Sequence, residues 1–152
     1  MEKDLERWPF KVVSGPKDEV LIEVTKGKSQ SLTPEDILAI MIRKMKEMAE
    51  QYLDRLVTKV VISVPAMYTY WQIQATKKVC ESVGLTVLRA INESTAAVMQ
   101  YALDHQKSKK EVLVFDLGGG TFSVTLIEIA ENFIDAKATI GDNHFGGVDF
   151  DD

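Results

Sequence analysis

The sequence predicts a mixed α/β fold. Three observations carry that prediction: β-branched apolar runs, helical stretches with clear start signals set between those runs, and a closing region where strands follow one another directly. The chain has 152 residues, 45% hydrophobic and 27% charged. That composition suits one globular domain and excludes wholesale disorder or collagen-like repeats.

Residues 1–32 read as a short helical or irregular lead followed by strands. Phe10–Val13 and Val20–Thr25 flank Ser14-Gly15-Pro16-Lys17-Asp18, which is turn chemistry, and Gly27 breaks the second strand. Thr33 can then cap a helix, Pro34 suits its first position, and Glu35 and Asp36 favour its positive end. Ile37, Met41, Met45, Met48 and Tyr52 recur three or four residues apart, so a helix to about Leu53 carries an apolar stripe. The stripe is expected to pack on a sheet, an adaptable binding face being the alternative. Thr58–Val64 is β-branched and nearly all apolar, as a strand covered on both faces would be, and Pro65 ends it. A second helix is expected over Tyr70–Val83, with Thr69 as cap and Gly84 in the left-handed C-terminal position. Thr86–Ile91 is the next strand, and Ser94–Leu103 a short alanine-rich helix. His105–Lys110 is a polar connector and the expected lobe boundary. Glu111–Phe115, Val124–Ile129 and Phe133–Ile140 then form an antiparallel meander, with Glu131-Asn132 as a tight turn.

Charge and cysteine usage narrow the function. Lys and Arg total 18 against 23 Asp and Glu, a net charge of −5. This argues against a nucleic-acid binder, which needs a basic footprint. The longest nearly apolar run, Val60–Met67, contains Ser63 and Pro65 and is far too short to span a bilayer, so no membrane partner is expected. Met1-Glu2-Lys3-Asp4 opens with charge and shows no signal peptide. The single cysteine, Cys80, cannot form an internal disulfide, so a reducing compartment or a buried thiol is expected, and the expected localisation is cytoplasmic. It lies inside an apolar helix pattern without a basic neighbour to activate it, so packing is its expected role. His144 lacks a second ligand at zinc spacing, and His105 in the connector is expected to be solvated.

Phe115-Asp116-Leu117-Gly118-Gly119-Gly120-Thr121-Phe122-Ser123 is the most informative stretch. Glycines let backbone N–H groups approach a phosphate, Thr121 adds a hydroxyl, and a carboxylate at a strand end can hold hydrated Mg²⁺. Taken alone, the triplet leaves a flexible hairpin that binds nothing equally open. The P-loop pattern is absent. The dinucleotide fingerprint fails as well, because Ser123 stands at its third glycine and a strand follows. Glu93, within Asn92-Glu93-Ser94-Thr95-Ala96-Ala97, lies between strand and helix, where it can orient water or metal or simply serve the helix dipole. Gly146 and Gly147 offer a second place for close backbone approach.

At these residues the chain resembles the seventy-kilodalton heat-shock chaperone family of DnaK type. The shared motifs, in family order, include Arg7-Trp8-Pro9-Phe10, Leu32-Thr33-Pro34-Glu35, Lys44-Met45-Lys46-Glu47, Val61 to Ala66, Gln74-Ala75-Thr76-Lys77, Asn92 to Ala97, Asp116 to Phe122, and Gly146 to Phe150. The resemblance implies an incomplete actin-like ATPase fold (ribonuclease H-like), with mixed sheets and flanking helices. It implies that residues 1–30 end an upper subdomain of lobe I and that 31–104 are part of that lobe's base. Residues 105–110 would be a connector, and 111–152 would start the base of lobe II.

It further implies an ATP- or ADP-binding segment of a chaperone that assists protein folding. Glu93, Asp116 and Thr121 would be its catalytic residues. Asp116, and Glu93 through water, would hold Mg²⁺. Gly118, Gly119, Gly120 and Thr121 would contact the β and γ phosphates, with Gly146 and Gly147 near ribose and phosphates. Pro65 matches a proline that couples the nucleotide to the lobes. The first phosphate loop, the catalytic lysine and most of lobe II would lie outside these residues, so efficient hydrolysis by the segment alone is not expected. Three departures bear on activity: Ser123 replaces an aspartate, Ser94 a proline whose loss loosens the turn, and Val148 a glutamate. Tyr70-Trp71-Gln72-Ile73 replaces a polar stretch that faces the interdomain linker and co-chaperones. The alternative function is a non-catalytic interaction module, using Tyr68, Tyr70 and Trp71 to bind other chaperone segments or a second copy.

Overall fold

A computed structural model of the chain describes residues 5, 8–16, 18–26, 28–104, 110–130 and 133–151. The elements are β1 (Lys11–Ser14), β2 (Val20–Lys26), β3 (Lys28–Leu32), α1 (Pro34–Leu53), β4 (Lys59–Val64), α2 (Tyr70–Ser82), β5 (Thr86–Asn92), α3 (Glu93–Asp104), β6 (Lys110–Leu117), β7 (Phe122–Ala130), β8 (Phe133–Asp142) and a 3₁₀ turn at Gly147–Asp149. They form three sheets, β1-β2-β3, β4-β5 and β6-β7-β8, the mixed α/β pattern expected. Most of the lead, the connector up to residue 109 and the turn Glu131-Asn132 lie outside the described residues. Lys110, read as connector, opens β6. Two compact units are distinguished: residues 1–60 with 74–86, and residues 61–73 with 87–152.

In the first unit β1, β2 and β3 pair antiparallel in sequence order. The third strand, Lys-Ser-Gln-Ser-Leu, has no apolar alternation to announce it. It exists because β2 offers it a ladder from Ile22↔Leu32 to Lys26↔Lys28. Helix α1 lies against β2 and β3. Its start is a reciprocal cap: Asp36 N donates to Thr33 Oγ1 at 3.1 Å and Thr33 N to Asp36 Oδ2 at 3.0 Å. The hydrogen bonds from Thr33 hold the Asp36 carboxyl below its usual pKa.

The methionine stripe of α1 does not pack as expected. Ile42 is buried and Leu38, Ala39 and Ala49 are half-buried, as is Ile37 at the head of the expected stripe, whereas Met41, Met45 and Met48 are exposed and Tyr52 is 90% exposed. The helix carries two apolar stripes of similar spacing, and only the one through Leu38, Ile42 and Ala49 turns inward. Farther along, Gly84 takes φ +78°. Gly84 N donates to Glu81 O (2.9 Å) and Leu85 N to Cys80 O (3.0 Å), closing the end of α2. Lys46 Nζ caps the same end through Val83 O at 3.1 Å. Cys80 is fully buried, and that burial pushes its thiol pKa up, in keeping with a packing role.

Strand β4 is not covered on both faces. Val60, Ile62 and Val64 turn inward while Lys59, Val61 and Ser63 are exposed: among the described residues β4 pairs with β5 alone, and one face of that narrow sheet stays open. Thr69 and Gln72 form a second reciprocal cap at the start of α2, with Thr69 N donating to Gln72 Oε1 at 2.8 Å.

In the second unit α3 packs on one face of the β6-β7-β8 meander. Val98 and Ala102 meet Ile127 and Ile129, flanked by Val112, Val114 and Ile134. Ser94 is 1% exposed, and its hydroxyl bonds Thr125 Oγ1 at 3.0 Å. This bond ties the helix start to the central strand. Between β7 and β8 the register jumps from Leu126↔Ala138 to Ile127↔Ala136, leaving Lys137 as an extra residue. Its ammonium bridges Glu128 (2.7 Å) and Asp135 (2.9 Å), and these carboxylates, Glu128 foremost, raise the Lys137 pKa. No helix among the described residues is long and apolar enough to cross a membrane.

Candidate functional site

Strand alternation delivers the first carboxylate. Val112 and Val114 lie against the core under α3, and Asp116, two residues on, continues the same face to the loop end of β6. Its ladder partner is Ser123, which is buried. Glu93, the first residue of α3, comes to this same end. Asp116, Glu93, Thr121 and Ser123 line a recess of about 10 Å³, closed by Phe122, Pro65, Ala66, Met67 and Asn143; that is room for about one water molecule. Burial, and secondarily the charge of Asp116, push the Glu93 carboxyl pKa up. Two carboxylates facing one small polar space favour a cation between them.

The triple glycine forms the adjoining loop. Gly118 N donates to Thr121 O at 2.9 Å and closes the bend. A Cβ at Gly119 or Gly120 would meet nothing within 4 Å, and no turn or loop bond among the described residues takes their N–H groups. The space beside the Cα of both glycines is therefore open. Gly146 and Gly147 reach the same loop. Gly147 N donates to Gly118 O and Val148 N to Gly119 O, each at 2.9 Å. A Cβ at Gly146 would lie 2.5 Å from Gly119 C and O and from Gly120 N, so only glycine permits this approach.

The fold thus assembles the sequence-predicted residues into two adjoining groups. Glu93 and Asp116 share the recess, the five glycines share the loop, and Thr121 belongs to both. Sequence reading missed Asn143, Ala66 and Met67. Asn143 Nδ2 donates to Met67 O at 3.3 Å, a bond across 76 residues with no local signal. Among the described residues no cluster of three or more His, Cys, Asp or Glu could hold a metal. Mg²⁺ is different, since it needs one or two carboxylates and completes its shell with water and phosphate oxygens. The paired carboxylates beside open amides fit a Mg²⁺–phosphate group.

Comparison with known proteins covers the same residues. The family model described as Hsp70 protein matches residues 1–152. A heat shock 70 kDa protein of Emericella nidulans is 45% identical over 152 residues, covering 99% of this chain and 24% of that relative. One of Neurospora crassa is 46% identical over 153 residues, with the same shares. The chain spans about a quarter of the length of these curated relatives.

Proposed function

The chain belongs to the Hsp70 protein family, and from that premise we propose that it is the nucleotide-binding segment carrying the second phosphate loop of a chaperone that assists protein folding. The three sheets and three helices of the elements described above are those of an incomplete actin-like ATPase fold. The observation that carries the reading is the pair of open Gly119 and Gly120 amides beside the Asp116–Glu93 recess. In this reading Gly118, Gly119, Gly120 and Thr121 hold the phosphates of ATP or ADP. Asp116 anchors the magnesium shell and Glu93 reaches it through water. Bound Mg²⁺ would neutralise phosphate charge there. Efficient hydrolysis is not part of the proposal, because Ser123 puts a neutral group beside Asp116, where the resemblance calls for a third carboxylate, and phosphoryl transfer depends on charged groups acting together. The cytoplasm, and co-chaperones or other chaperone segments as partners, complete the proposed setting.

Calorimetric titration with Mg-ADP tests it. Weak, magnesium-dependent binding is expected, falling about tenfold or more in Asp116→Ala. No heat from the wild type at millimolar Mg-ADP overturns the proposal, and normal turnover by the isolated chain overturns its catalytic half.

A second reading is a non-catalytic module that binds other chaperone elements or a second copy. It is favoured by the exposed apolar residues Leu113, Phe115 and Ile140 on the meander and by the exposed edge-to-face pair Tyr70–Trp71.

A further inference from the structure

We infer that Asp149 is a positioning residue for the phosphate loop, acting through Gly146 and the 3₁₀ turn; the inference rests on the reading of Gly118–Thr121 as that loop. Asp149 Oδ2 accepts the Gly146 N–H at 2.8 Å. The Asp149 N–H returns to Gly146 O at 3.0 Å, and Phe150 N donates to Gly147 O at 3.0 Å. The side chain and the turn therefore lock the backbone of residues 146–150 onto itself. Edge-to-face contacts of Phe145 with Phe122 (6.0 Å) and Phe150 (5.5 Å) brace the same segment.

What the locked turn does follows from peptide geometry. Its amides at Gly147 and Val148 hold the carbonyls of Gly118 and Gly119. In a planar trans peptide the C=O of one residue and the N–H of the next point in opposite directions. Drawing the Gly118 and Gly119 carbonyls toward the turn therefore aims the Gly119 and Gly120 N–H groups away from it. Gly146 itself is buried, and the space beside its Cα is filled by the Gly119–Gly120 backbone. What it contributes to a phosphate it contributes through those two residues. Asp149 sets the loop's aim without touching the anion.

The test is the amide spectrum of the chain labelled with ¹⁵N-glycine, read alongside Mg-ADP titration. In Asp149→Ala the Gly119 and Gly120 resonances shift or broaden, and Mg-ADP affinity falls about tenfold or more, as misaimed groups would give. Asp149→Asn, which keeps an oxygen acceptor for Gly146 N–H, restores both readouts. Gly146→Ala reproduces the loss by pushing the loop directly, with Asp149 intact. Unchanged Gly119 and Gly120 resonances in Asp149→Ala and Gly146→Ala overturn the inference, as does wild-type affinity in either variant. If the wild type binds no Mg-ADP, the nucleotide reading falls while the glycine resonances still judge the positioning role.

Discussion

Along β6 the side chains alternate between two surroundings. Val112 and Val114 pack beneath α3, while Leu113 and Phe115 on the opposite face stand in solvent, the latter 66% exposed. Across the sheet Thr125, Ile127 and Ile129 join the first set and Ile140, 72% exposed, joins the second. Both faces are apolar in composition, yet one alone has a helix of this unit upon it. Residue type thus announces that a strand can be buried, while the partner element decides which face is. The covered face also carries the site: beyond Val114 it runs into Asp116, and beyond Thr125 into Ser123.

Truncating each face in turn sharpens the contrast. Ile127 is fully buried, so Ile127→Ala should cost about 3–4 kcal/mol, whereas Leu113→Ala should change stability by less than about 0.5 kcal/mol. Denaturant midpoints compare them directly, and equal losses would mean that the outer face is packed in solution.

A smaller effect is expected at the polar end of the covered face. The folded-state pKa of Glu93 lies above its ordinary value, so the native chain binds this proton more tightly than the unfolded one. Stability therefore falls as pH rises from the ordinary glutamate pKa through the raised one, and nothing is lost below that window. Glu93→Gln removes the titration. Melting curves should converge near pH 4 and separate towards pH 7, with the glutamine variant higher. A pH-independent gap would contradict a carboxyl whose pKa is raised by burial and by the nearby Asp116.

The smallest stability change belongs to Phe115→Ser, within about 0.5 kcal/mol. Its readout is association: if the outer face pairs with a second copy, light scattering should show the wild type heavier than one chain and the variant monomeric. A wild type that is monomeric at every concentration removes this support for the interaction reading.

Local signals were legible in the sequence and long-range ones were not. The caps at Thr33 and Thr69 and the glycine at 84 could be read because each involves neighbours within a few residues. The meander and the carboxylates Asp116 and Glu93 were equally plain. β3 was invisible because Lys-Ser-Gln-Ser-Leu gains its structure from β2 alone. The methionine stripe misled because a rival stripe of the same period runs through Leu38 and Ile42, and periodicity cannot choose between them. The bond between Asn143 and Met67 joins residues 76 apart, so no local pattern announces it. The family was legible from many linked motifs in order, which no single loop could have supplied.

The extra residue between β7 and β8 also solves a counting problem. Thr139 hydrogen-bonds Thr125 (3.3 Å) and Ile134 packs on the core cluster, so both belong to the covered face. They stand five residues apart, an odd number, and in an unbroken ladder they would face opposite ways. Lys137 shifts the phase of the strand by one, and because it is the residue that falls out of step, a charged side chain can occupy it. One supernumerary position thus reconciles a hydroxyl bonded to Thr125 with a hydrophobic anchor farther along the same strand.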